Sequence, residues 1–305
     1  MHMKTFNPEE FIIFEGVVGS RLYGTALPDS DEDRRGICIP PKEVLLNPFM
    51  NFEQKDSGFE EEDRCIYALG QFFKLCADSN PNIVELLFIP ESHYITMSNY
   101  WATVLNRKQY FLSKKTKYTF SGYAISQANK IKRHRRYFTN PLKAKPERSD
   151  YGLKDAPTIS GDGLQAVANI SFDLLNPKFV EEIRAELSYR SAMKEWHDFV
   201  SWRDSRNPRR KRLEELWGYD TICASHLLRL MFEGEELLLT GKITFPLTQA
   251  EIVLGVKQGQ WSYDQFLGTL ENLDTGFNSW YDRSVLPKAP DRNKLTELYF
   301  DIIEE

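Results

Sequence analysis

The chain has 305 residues, of which 41% are apolar and 27% charged, and its formal net charge is −5. That length supports a sizeable core in one large domain or two smaller ones. The acidic balance excludes a nucleic-acid binder that works by overall charge, so any cationic surface has to be read locally. Cys38, Cys65, Cys76 and Cys223 form no C-x-x-C pair, which argues against a zinc site or a disulfide framework. The N-terminus lacks the apolar core of a signal peptide, and no run approaches the ~18 apolar residues of a membrane span. A cytoplasmic protein with no membrane partner is expected.

In chain order, the β-branched and aromatic run at residues 11–19 reads as a strand that stops at glycine. SRLYGTA forms a turn or two of helix, LPDSDED is turn chemistry, and RRGICIPP is a short strand closed by two prolines. After a loop, a third strand is expected around Glu62–Tyr67. A helix over LGQFFKLCADS follows, its apolar side carrying Leu69, Phe72, Phe73, Leu75 and Cys76. NIVELLFIP is apolar enough to be buried. Beyond Pro90 helical periodicity dominates, over 99–106, 117–137, 180–202 and 221–239, while a glycine-flanked patch at 158–174 resists assignment. KITFPL suggests a short strand. The tail reads as amphipathic helix, with Trp261, Phe266, Leu270, Leu273, Phe277 and Trp280 as core material. The expected architecture is α/β (α+β): a small mixed-sheet core over residues 1–95 and a larger, mostly helical domain over residues 96–305.

The chemistry concentrates in GVVGSRLYGTALPDSDEDRRGICIP, residues 16–40. Asp31 and Asp33, at i and i+2 on an extended segment, share a face with backbones roughly 6.5–7 Å apart. Carboxylates that close repel unless a cation lies between them, and oxygen-only ligation suits Mg²⁺ or Mn²⁺ sharing its shell with phosphates. Gly19 and Ser20, at a strand end, offer N–H groups and a hydroxyl to a phosphate, with no Cβ at Gly19 to block approach. Together these suggest phosphoryl or nucleotidyl transfer. An EF-hand loop beginning at Asp29 fails because Arg34 and Pro40 stand where glycine and glutamate are needed. Neither a P-loop nor a dinucleotide-binding fingerprint is present. The plain competitor is an acidic surface turn.

Gly19, Ser20, Tyr23 and Gly24, followed by Ser30, Asp31, Asp33, Arg35 and Gly36, resemble the DNA polymerase beta nucleotidyltransferase superfamily, in particular its predicted-nucleotidyltransferase branch associated with RNA repair. DRCIYALGQFFKL, NPNIVELLF, FLSK, GYAISQ, HLLRL and ELLLTGKI extend the similarity, in order, to about residue 243. The resemblance implies that Asp31 and Asp33 are metal ligands and that Gly19 and Ser20 hold the triphosphate of an NTP such as ATP. A third carboxylate, assigned to Asp63 four residues before Tyr67, would activate the attacking hydroxyl and complete the metal site; Glu60, Glu61 and Glu62 crowd it. It implies a two-metal in-line displacement with pyrophosphate leaving. Tyr23, Arg35, Lys114, His226 and Arg229 are the further nucleotide-binding candidates. Ile222 stands where the branch is expected to carry a lysine, so one phosphate contact is absent or supplied elsewhere.

His226 and Arg229 lie at i and i+3 on an apolar helix and share a face, where Arg suits a phosphate or a buried carboxylate. Glu85 reads as a helix-end contact or as a carboxylate supporting the site from behind, the first being favoured. Residues 107–138 interleave cations with Tyr110, Phe111, Tyr118, Tyr123, Tyr137 and Phe138, a pattern that suits a strand backbone with stacked bases or, equally, a solvated helix face over core aromatics. A second basic patch, Arg206–Arg212, reads as a helix-end cap. The leading expectation is transfer of NMP from an NTP to a nucleic-acid end, most plausibly RNA. The alternatives are nucleotidylation of a protein or small molecule, and a non-catalytic nucleotide-binding or antitoxin-like partner.

Overall fold

The structure, a computed structural model, describes residues 6–57, 63–157, 159–160 and 175–304. It comprises an N-terminal mixed α/β region with a five-stranded sheet and a larger, mostly helical region after it. Packing groups the chain into two compact units: Met1–Asn129 with Thr221–Glu305, and Lys130–Asp220.

In the first unit a short 3₁₀ turn leads into β1 (Ile12–Val18), whose Ile13, Phe14 and Val18 are buried. Then follow helix α1 (Gly19–Tyr23), β2 (Asp33–Cys38), the single turn α2 (Lys42–Leu45), and strands β3 (Gln54–Asp56) and β4 (Arg64–Ala68). Helix α3 (Leu69–Ala77) buries Leu69, Phe72, Phe73 and Cys76, the i, i+3, i+4, i+7 face expected of an amphipathic helix. The chain leaves α3 through Ser79, which is in the left-handed region at φ 58°, and starts α4 (Pro81–Val84) on proline. Strand β5 (Tyr94–Met97) and helix α5 (Asn99–Leu105) follow, and a π-helical turn at Lys117–Ser121 leads into α6 (Gly122–Thr139).

The sheet order is β3-β4-β2-β1-β5, with β2 and β4 parallel and the other pairs antiparallel. Its core stacks Phe14 on Trp101 with ring centroids 4.4 Å apart, and sets Phe72 against Trp101 at 5.1 Å. The same core takes Leu230 and Leu237 from α9 (Thr221–Thr240) and Leu295, Leu298 and Ile302 from α12 (Arg292–Glu304). Between those two helices lie α10 (Ala250–Lys257) and α11 (Tyr263–Arg283).

The second unit begins within α6 and holds α7 (Pro177–Asp204) and α8 (Pro208–Trp217). Glu186 of α7 is buried and satisfied by Arg148 at 2.8 Å and Arg190 at 3.0 Å. Tyr137, Phe199 and Trp202 form an aromatic cluster with centroids 5.4–5.9 Å apart.

Several details differ from the sequence reading. β3 and β5 lie in segments read as loop or left unassigned, because an exposed three-residue strand and a short edge strand carry too little alternation to register. KITFPL is not a strand: its backbone is irregular around a cis Phe245–Pro246 bond, and Thr244 bonds the Glu236 carboxylate instead of a ladder. Of the tail residues taken as core, Phe266, Leu270 and Phe277 are buried, while Trp261, Leu273 and Trp280 are half-buried. Glu60, Glu61, Glu62 and most of the patch at 158–174 lie outside the described residues.

Candidate active site

Strand register brings the first residues of interest together. Val18 pairs with Asp33 across the antiparallel β1/β2 ladder, and Arg34 pairs with Arg64 across the parallel β2/β4 ladder. The exit of β1 into Gly19 and Ser20 and the entries of β2 and β4, at Asp33 and just after Asp63, therefore fall at one end of the sheet. The Arg34 N–H donates to the Asp63 carbonyl at 2.8 Å, extending the ladder to Asp63.

Gly19 has φ +68°, and a Cβ there would meet Asp33 Oδ2 at 1.8 Å. Its missing side chain is thus what admits the Asp33 carboxylate against the start of α1, a requirement separate from the approach of a phosphate. No side chain caps the first turn of α1. The Ser20 hydroxyl has no hydrogen-bond partner among the described residues, while the Ser20 carbonyl accepts from Thr25 N–H at 2.9 Å and closes the following turn.

Asp33 is half-buried, and its pKa is raised to about 6, first by burial and then by the charges of Asp63 and Asp31. Asp63 is exposed and accepts from Arg35 Nη1 at 3.0 Å; the same nitrogen donates to the Asp63 carbonyl at 2.9 Å and the Arg34 carbonyl at 2.8 Å. Arg35 is therefore the clamp that fixes Asp63. Asp31, two residues before β2, is exposed, and its carbonyl and that of Ser30 accept from Arg21. Ser30 Oγ accepts from Leu27 N–H at 2.8 Å, fixing the turn that carries the aspartates. Among the described residues no three His, Cys, Asp or Glu side chains stand ready to hold a metal ion. The donor chemistry nonetheless fits a hard divalent cation: the charges of Asp63 and Asp31 add to burial in raising the pKa of Asp33, and an added positive charge would offset them.

Tyr23, His226 and Arg229 gather elsewhere in this unit, in a buried polar cluster. Arg229 donates to Glu233 at 2.8 and 2.9 Å, to Glu85 at 3.0 Å and to Asn82 at 3.3 Å. Its guanidinium lies 4.3 Å from the centroid of the Tyr23 ring, and the Tyr23 hydroxyl donates to Glu85 at 2.9 Å. His226 Nδ1 lies 3.1 Å from Arg229 Nη2. Arginine only donates, so Nδ1 accepts and Nε2 carries the proton; burial and the Arg229 charge push the imidazole down to about 3, so it is neutral. Glu85 and Glu233 share one guanidinium, and burial raises the pKa of both. Glu85, Glu233 and Asn82 are residues the sequence reading missed or placed differently: Glu85 is a buried ion-pair partner, not a helix-end contact. The i, i+4 spacing of Arg229 and Glu233 was a readable signal.

Lys114 stands apart from both groups. Its ammonium lies 5.0 Å from the centroid of the Tyr281 ring, and its backbone N–H donates to the Pro287 carbonyl at 2.8 Å. The turn after α1 is braced by the C-terminal helical segments. Lys257 donates to the Thr25 carbonyl at 3.1 Å, and Gly24, at φ +76°, packs so closely on Pro246 that a Cβ would lie 2.9 Å away.

The strand-end glycine, the carboxylates opposite it and the adjoining turn all fall in the part of the chain that matches a known family. Residues 3–145 match RlaP, the RNA repair pathway DNA polymerase beta family. RlaP is part of the nucleotidyltransferase superfamily. The match supports enzymatic activity of the nucleotidyltransferase type for this chain. Beyond the RlaP segment, similarity continues to an uncharacterized 38.9 kDa protein of the nrdC-mobD intergenic region of Enterobacteria phage T4, 23% identical over 292 residues, covering 86% of this chain and 87% of that protein. No solved structure matches the chain. Among the described residues no helix is long and apolar enough to cross a membrane.

Proposed function

We propose that this protein transfers a nucleoside monophosphate from an NTP to the hydroxyl of a nucleic-acid end, RNA above all, and releases pyrophosphate. The observation that carries the reading is the meeting of Asp33 and Asp63 at the entries of two parallel strands, beside a glycine that Asp33 itself requires. Gly19 and Ser20 take the triphosphate; Lys114, held over the Tyr281 ring, stands apart from it. Asp31, Asp33 and Asp63 would hold Mg²⁺ or Mn²⁺, which when bound supplies neutralisation of the triphosphate charge.

The acceptor oxygen forms a bond to the α-phosphorus as the α–β bridging P–O bond breaks, and pyrophosphate leaves with that bond's electron pair. Asp63, held by Arg35, takes the proton of the acceptor hydroxyl. Tyr23, His226 and Arg229 act one step removed from the nucleotide, because Arg229 already answers two carboxylates and His226 is neutral. They brace α1 through the Tyr23 ring and hydroxyl.

The test is incubation with Mg²⁺ or Mn²⁺ and each labelled NTP, with RNA, DNA or total protein as acceptor. Label entering RNA in the wild type and vanishing in Asp31→Ala and Asp33→Ala is the expected result. Label entering protein, or nucleotide binding with no transfer, overturns it.

A further inference from the structure

Two basic stretches far apart in sequence meet inside the Lys130–Asp220 unit. Lys130 and Arg133 of α6 line one side of a cleft of about 460 Å³, and Arg206 and Arg210, at the start of α8, line the other. That volume lies in the range of small-ligand sites. Trp202 and Tyr137 form its aromatic wall. The Arg206 guanidinium lies 4.4 Å from the Trp202 ring centroid, and its Nε is buried without a hydrogen-bond partner.

The charge balance leaves the cleft cationic. Arg206 pairs with Glu214, Arg133 reaches Asp198 only at 3.7 Å, and Arg210 reaches Asp220 only at 3.6 Å. Lys130 has no ion-pair partner among the described residues. Four cations thus face three carboxylates, and burial, the leading influence on Glu214, raises its pKa. His134, between the two sides, feels all four cations: after burial, Lys130, Arg133, Arg206 and Arg210 help to lower its pKa to about 4.

The basic patch does not cap a helix C-terminus. Arg209, Arg210, Lys211 and Arg212 fall at the N-terminal end of α8, where the helix dipole is already positive and cations are disfavoured. Asn207 supplies the cap by accepting from Arg209 and Arg210 N–H. Cations against a positive helix end are a cost that an anion seated there would offset.

We infer that this cleft holds one nucleotide of a single-stranded polynucleotide, its phosphate between Lys130, Arg133 and Arg210 and its base against the Trp202 wall. Interleaved guanidinium and aromatic groups suit this class of ligand, since every base offers a face to stack and every linkage one negative charge. The inference deepens the proposed function by giving the acceptor strand a site in the unit that lies mostly outside the RlaP match.

The test is fluorescence anisotropy with a labelled single-stranded RNA of about twelve nucleotides, within the site sizes single-strand binders use, and with DNA of the same sequence. The triple variant Lys130→Gln, Arg133→Gln, Arg210→Gln alters exposed side chains, so its fold is readily checked by circular dichroism. We expect at least ~10-fold weaker binding and a salt slope reduced by roughly 0.7, the change for the one phosphate that the three cations share. Trp202→Leu, which keeps an apolar filling, should weaken binding by about 5- to 100-fold. Asp31→Asn should leave strand binding unchanged, and the triple variant should leave NTP binding unchanged. The RNA-to-DNA affinity ratio identifies the natural strand. Unchanged RNA and DNA affinity and salt slope in the triple variant overturn the inference while leaving nucleotidyl transfer intact. Displacement of RNA from the cleft by polyglutamate at equal charge concentration also overturns it, assigning an acidic protein instead. Strand binding through the cleft without transfer to any acceptor would overturn the proposed activity and leave the cleft standing.

Discussion

Asp33 and Gly19 are sterically interlocked: a methyl group on Gly19 would lie 1.8 Å from Asp33 Oδ2, so the carboxylate occupies the place of a side chain. Gly19→Ala must therefore evict the carboxylate, and at φ +68° it also incurs about 1–2 kcal/mol of left-handed strain. We predict transfer falling by about 10²-fold or more, because a displacement near 1 Å suffices for that. Circular dichroism should report a folded protein. Retained activity in Gly19→Ala would show that Asp33 works from another position.

The raised pKa of Asp33 predicts a pH-dependent response to metal. Its folded-state value, about 6, lies above the ordinary aspartate value of 3.8, so the contribution to stability is fully present below about 4 and is lost as pH rises through about 6. Above that, the metal-free protein carries the mutual repulsion of Asp33, Asp63 and Asp31. Adding Mn²⁺ should therefore raise Tm more at about pH 7.5 than at about pH 5. Asp33→Asn should raise the metal-free Tm at the higher pH and abolish most of the difference. Equal metal-induced shifts at both pH values would count against the arrangement.

Asp63 is assigned the proton-accepting role, and Arg35 holds it in place. Asp63→Asn should slow single-turnover transfer by about 10²- to 10⁴-fold, the range for loss of a general base. NTP affinity should stay within about threefold of the wild type. Matching substitutions of Glu60, Glu61 and Glu62 should have small effects. A large loss in one of those three, with Asp63→Asn active, would move the third carboxylate to that residue.

Arg229 neutralises two buried carboxylates, with nitrogen–oxygen distances of 3.0 Å to Glu85 and 2.8 Å to Glu233. Arg229→Met strands both, and urea denaturation should show a loss of about 3–5 kcal/mol. Adding Glu85→Gln and Glu233→Gln should recover most of it, because the uncompensated charge is gone. Failure of the triple variant to recover would mean that the packing of the guanidinium on Tyr23 dominates instead of its charge.

The sequence made the Gly19–Asp33 end of the sheet legible because its signals are local. A β-rich run halts at Gly19, two aspartates are spaced for one face, and the i, i+3, i+4 pattern of Leu69, Phe72 and Phe73 leaves little choice of structure. The partners of Arg229 were less legible: Glu85 lies 144 residues away, and no local pattern encodes a buried ion pair across that separation. The basic patch at 206–212 was misread for the opposite reason. Its composition is unmistakable, but whether it ends one helix or starts the next depends on the Asn207 cap and Pro208.

The buried pair of Glu85 and Arg229 also bears on how the protein is made. The ribosome completes every strand of the sheet by Met97, yet the counter-charge for Glu85 emerges 144 residues after it. At ordinary elongation rates of 5–20 residues per second, that is a delay of roughly 7–30 s. During it the nascent sheet carries an acidic side chain that cannot be enclosed in its ionised form, and the whole Lys130–Asp220 unit is synthesised in the meantime. The sheet end that carries Gly19, Asp33 and Asp63 is therefore translated early and locked late.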